Sequence, residues 1–124
     1  MSKASFPSYF PPSCPPHEAS AASGHVFRIV AGDALTDSDF KSHYEAGTAL
    51  NAPPCSRCGV SVFNSHERAQ HRLGLSPHLR NAIVQGELNE DAGKTQLTNE
   101  RSGHLEWWPF DGVLRRSFFS EPTP

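Results

Sequence analysis

Pro53-Pro54-Cys55-Ser56-Arg57-Cys58-Gly59 constrains this chain more than any other stretch. Two cysteines separated by two residues and followed by glycine predict a short loop that turns two sulfurs toward one point. Thiolates hold zinc at about 2.3 Å, and structural zinc is usually closed by four Cys or His ligands in a tetrahedron. His66, His71 and His78 lie close behind the pair. Only 36% of the 124 residues are hydrophobic, less than a globular domain usually carries. The core is therefore modest, and a metal staple would help hold a domain of this size.

The rest of the composition narrows the class. Charged residues are 19% and the formal net charge is −2. That weighs against tight, sequence-blind DNA binding, which needs many phosphate-neutralising Lys and Arg. Three cysteines, two of them in a tight pair, suit a reducing compartment better than a secreted disulfide framework. No apolar run approaches the ~20 residues that span a bilayer, and the N-terminus lacks the apolar segment of a secretory signal. The expectation is a soluble, cytoplasmic protein with one domain.

Taken in order, residues 1–24 are rich in Pro, Ser and Ala and predict a flexible arm, because proline removes backbone donors and favours extended chain. Phe6, Tyr9 and Phe10 could dock on a partner, and Cys14 reads as a free thiol. Residues 25–120 form the expected α+β domain: a short antiparallel sheet, two or three short helices and a zinc knuckle. His25–Ala31 reads as a strand, with Arg28 at an edge or half exposed. Thr36, Asp37 and Asp39 signal a helix start, and Leu35 and Phe40 suit a hydrophobic staple, so a helix is expected near 37–46. Val60–Phe63 reads as a strand and 65–73 as a helix closed by Gly74. Ala82-Ile83-Val84 fits strand or helix. Residues 89–103 read as a loop. The aromatic stretches 104–110 and 113–119 supply the core's bulk as one or two strands.

Three chemistries fit these residues. Residues 55–78 resemble a two-Cys/two-His zinc finger, in which two Cys, a strand and two His on the next helix enclose zinc. The resemblance implies Cys55, Cys58, His71 and His78 as ligands, with His66 as an alternative fourth. It departs from the family in leaving six residues between His71 and His78, where the family has three to five. Secondly, His43-Tyr44-Glu45 followed by Pro54-Cys55-Ser56-Arg57-Cys58 is similar to zinc-dependent nucleobase deaminases, which would make Glu45 a proton shuttle. Eight residues between Glu45 and Pro54 are too few for the helix end and strand that family places there. Thirdly, Arg28, Ser61 and Glu106 make the chain faintly similar to ADP-ribosyltransferases. That layout implies Arg28 on a phosphate of NAD, Ser61 on the nicotinamide ribose and Glu106 beside the developing oxocarbenium charge. The leading expectation is a zinc-stabilised binding module. Arg57, Arg68 and Arg72 would give the positive side of a surface for a protein or nucleic-acid partner, and the slightly acidic whole favours protein.

Overall fold

A computed structural model describes residues 4–31, 34–74 and 82–120. It shows an α+β domain built on one six-stranded antiparallel sheet. In chain order the strands are β1 (Ser20–Ala21), β2 (Gly24–Val30), β3 (Val60–Phe63), β4 (Ala82–Leu88), β5 (Gly93–Asn99) and β6 (His104–Pro109). They lie side by side as β1-β5-β6-β3-β2-β4. The helices are α1 (His43–Ala46), α2 (Pro54–Arg57) and α3 (His66–Gly74); single 3₁₀ turns lie at Asp37–Phe40, Glu90–Ala92 and Arg115–Phe118.

Side chains alternate across each strand, so register decides what each face holds. Val60 faces Trp107 and Val62 faces Leu105, while Ser61 faces Glu106 and Phe63 faces His104. One face therefore carries Val60, Val62 and Trp107, which join Val26, Val30, Val84 and Leu88 in the main core. Phe40 and Phe119 close that core from beyond the sheet, with ring centroids 4.7 Å apart. The other face carries Phe27, Ser61, Phe63, His104, Glu106 and Trp108. The α3 helix leans on this second face through β2, β3 and β4 and buries Ala69 completely.

Several local readings change here. Residues 89–103 are not a loop: Gly93–Asn99 is strand β5, paired with β6 along its length. The stretch 113–119 forms no second strand; it folds as the Arg115–Phe118 3₁₀ turn, and only Phe119 bridges back to Gly86. The helix near 37–46 splits in two. Asp39 reaches back to the Thr36 backbone N–H at 2.8 Å, and Ser42 with Glu45 makes a second capping box that starts α1. Gly47, with φ of 72°, ends α1 in the left-handed region.

Arg28 also lies elsewhere than expected. The β2 strand is internal, flanked by β3 and β4, and Arg28 is on the core face. Its Nε donates to the Asp39 carbonyl at 2.7 Å and its Nη1 to the Ser61 carbonyl at 2.6 Å. Its guanidinium lies 5.9 Å from the Phe40 ring centroid. Burial pulls its pKa down to about 10, which still leaves it charged at neutral pH. The two carbonyls and the ring replace the water that an exposed arginine would keep.

Residues 5–19, expected as part of a flexible arm, lie against the domain. Phe6 packs on Phe110 with centroids 4.8 Å apart, and Tyr9 stacks on Tyr44 at 4.5 Å with planes 5° apart. The Asp111 N–H donates to the Ser5 carbonyl at 2.7 Å.

Candidate functional site: a thiol cluster and a polar strip

Cys55 and Cys58 sit in and just after the single turn of α2, where Pro54 takes the first helical position that proline tolerates. They are not in an open loop. Cys14 is not a free thiol: it is joined to Cys55 by a disulfide across 41 residues. Cys58 remains a thiol and is buried. It forms a small second core with Ala19 and Trp108, against which Phe6, Tyr9, Phe10, Cys14 and Cys55 pack. The Trp108 indole N–H donates to the Cys55 carbonyl at 2.9 Å and fixes α2 to β6. Burial pushes the Cys58 thiol above its ordinary pKa; Arg57 opposes that rise and Glu45 adds to it.

Among the described residues, the expected zinc ligands Cys55, Cys58 and His71 are not gathered around one point. Cys55 is engaged with Cys14, and His71 is exposed on α3. His66 meets the Phe27 ring edge-on at 5.9 Å. His78 lies outside the described residues. Among the described residues no group of three or more Cys, His, Asp or Glu is placed to hold an ion. The arrangement does place all three cysteines in one cluster.

Nor does the deaminase pattern come together. His43 Nδ1 is bonded to Thr48 Oγ1 at 2.8 Å. Glu45 is clamped by Arg115 through contacts of 2.6 and 3.2 Å and also accepts from the Ser42 backbone N–H at 2.9 Å. Partial burial would raise the Glu45 carboxyl, but the hydrogen bonds from Arg115 and Ser42 and the Arg115 charge outweigh it, so its pKa falls. A carboxyl lowered by folding contributes stability that is present above its unfolded pKa and lost as pH falls through its folded one. We therefore expect the urea midpoint of the wild type to fall more steeply than that of Glu45→Gln as pH is taken from about 5 to 3. Parallel midpoints across that range would show that the pair adds nothing.

Of the ADP-ribosyltransferase-like set, Ser61 and Glu106 are directly opposite one another on neighbouring strands. Arg28 is on the reverse face, below them. Ser61, His104 and Glu106 make a half-buried polar strip on the face that α3 partly covers. Ser61 Oγ lies 3.0 Å from His104 Nε2, and Thr98 Oγ1 lies 2.6 Å from His104 Nδ1. Glu106 accepts a short hydrogen bond from Ser56 Oγ at the end of α2. Burial raises the Glu106 carboxyl, against the lowering effect of Ser56, and burial lowers His104. His104 and Thr98 escaped sequence reading because they meet only through pairing of β5 with β6.

The proposed partner-binding arginines are scattered. Arg57 lies over the Tyr44 ring at 5.6 Å and donates to the Thr48 carbonyl at 3.1 Å. Arg68 and Arg72 are one turn apart on the exposed side of α3. No helix among the described residues is long and apolar enough to cross a membrane. No protein-family model matches the chain, and no curated protein or solved structure matches it.

Proposed function

We propose that the chain is a small binding module whose thiol cluster takes zinc when reduced, and whose α3 face engages an acidic protein partner. The observation that carries this reading is the placing of Cys14, Cys55 and Cys58 in one cluster, with Cys58 buried and the other two partly so. Once the Cys14–Cys55 bond is reduced, the cluster offers three sulfur donors, and a cation is the partner that lets buried thiols ionise. A cytoplasmic setting would keep them reduced. Water, or a histidine such as His71 or His78, would supply the fourth ligand. The partner surface follows from α3, which buries Ala69 and leaves Glu67, Arg68, Gln70, His71 and Arg72 exposed. Arg68 and Arg72 share one helix face.

Two linked measurements test it. Reduced protein should retain one zinc per chain after desalting, while oxidised protein and Cys58→Ser retain less than a tenth of that. Zinc-loaded protein should bind a glutamate-rich peptide at low salt, with affinity lost in the Arg68→Ala/Arg72→Ala double variant. No zinc on the reduced chain would end the metal half of the reading, and peptide binding unchanged in the double variant would end the other.

A further inference from the structure

The polar strip has a feature that the thiol cluster does not use. Ser61, His104 and Thr98 form a continuous hydrogen-bonded chain, and the proton count along it can be worked out. Thr98 Oγ1 lies 3.1 Å from the His104 backbone carbonyl and 2.6 Å from Nδ1 of the same residue. A carbonyl only accepts, so the single hydroxyl proton of Thr98 goes there. Nδ1 must then carry a hydrogen and donate it to Thr98. In the neutral imidazole this leaves Nε2 bare, and Ser61 Oγ at 3.0 Å donates its proton to it.

The fold holds this arrangement from several sides. The pairing of β5 with β6 shifts between Leu97 and Asn99, so Thr98 is the extra residue of a bulge. Bulges re-aim a side chain and recur beside active sites. The Phe63 ring meets the imidazole edge-on, with centroids 5.7 Å apart. Ser61 and His104 are half-buried and Thr98 is exposed, so the strip is open to solvent on one side. A hydroxyl bonded to a base that a third group orients is the arrangement of an activated nucleophile.

We propose that Ser61 is an acyl-accepting nucleophile with His104 as its general base and Thr98 as a positioning residue, acting on uncharged carboxylic esters. Glu106 directly opposite Ser61 disfavours a phosphoryl group or another anionic substrate. Ser61 Oγ would bond to the ester carbonyl carbon as its proton passes to His104 Nε2. The carbon–oxygen bond to the alcohol then breaks, and the departing oxygen takes that proton. Water attacks the resulting acyl-serine; its proton passes through Nε2 to Ser61 Oγ, and the carboxylic acid leaves.

The test uses the full chain with p-nitrophenyl acetate. The expected result is a transient acetyl group on Ser61, located by peptide mass spectrometry. His104→Gln should slow its formation about 100-fold, the lower end of what a general base supplies. Thr98→Val should slow it as well, whereas Thr98→Ser, which keeps the hydroxyl, should restore it. Acetylation confined to other residues would overturn the proposal, as would a Ser61 adduct formed at the wild-type rate in His104→Gln. Should His104→Gln fail to fold, the Thr98 pair decides: equal rates in Thr98→Val and Thr98→Ser overturn it.

Discussion

Cys14→Ser, measured in a metal chelator, should melt well below the oxidised wild type. The Cys14–Cys55 bond closes a loop across 41 residues. A cross-link of that span restricts the unfolded chain by about 4 kcal/mol on the chain-entropy account. For a domain this size that is a fall in Tm of roughly 10–20 °C. The loss is also local. Residues 5–19 would be held by Phe6 on Phe110, Tyr9 on Tyr44 and one backbone hydrogen bond to Asp111. Proteolysis should therefore cut near residues 11–18 in the variant before it cuts anywhere in the sheet. A reduced wild type should behave as the variant does. If both melt within about 2 °C of the oxidised protein, aromatic packing holds the segment and the covalent link adds little.

Trp107→Ala should be close to the limit the fold can tolerate. Trp107 is fully buried in the main core, against Phe118 and Phe119 at centroid distances of 6.1 and 6.0 Å. Its indole N–H donates to the Ala92 carbonyl at 3.1 Å and so ties β6 to the turn before β5. Truncating a buried tryptophan costs about 3–5 kcal/mol through lost contacts and the cavity left behind. The Ala92 carbonyl keeps the Phe110 N–H at 3.2 Å, so the lost indole hydrogen bond adds only about 1 kcal/mol. Whole domains are stable by only about 5–15 kcal/mol. The expected outcome in urea is a variant largely unfolded at 25 °C, or one whose midpoint has moved most of the way to zero denaturant. A midpoint within a quarter of the wild-type value would mean that Phe118 and Phe119 refill the space.

Residues that announce themselves through local pattern were legible. Val60–Phe63 is a strand over the expected residues, and α3 begins one residue later and ends one residue later than its capping signals imply. Both tryptophans are buried, as bulky aromatics in a chain short of apolar residues should be. What depends on distant pairing was hidden. Residues 93–99 read as polar loop because Lys94, Gln96 and Thr98 carry no β-branched apolar pattern, yet β6 on one side supplies the partner that makes them a strand. Arg28 reads as an edge or half-exposed residue, and the edge placement fails because nothing in its own strand shows that β4 pairs along the far side of β2. Cys14 gave no sign of its partner, since loop closure across so many residues leaves no trace in spacing. Ser61 and Glu106 each stand out in their own strands, but their facing positions follow from register. Thr98 and His104 needed a bulge that no short window of sequence reveals.

The two flanks of the sheet are guarded by the outermost parts of the described chain. On one side β1, only two residues long, is the last strand. On the other, Phe119 bridges Gly86, and Ser120 donates to the Gln85 carbonyl at 2.9 Å. A strand left with unmet amides and carbonyls invites pairing with another molecule. Trimming this protein to its central strands would therefore strip away the stoppers and leave a self-adhesive sheet.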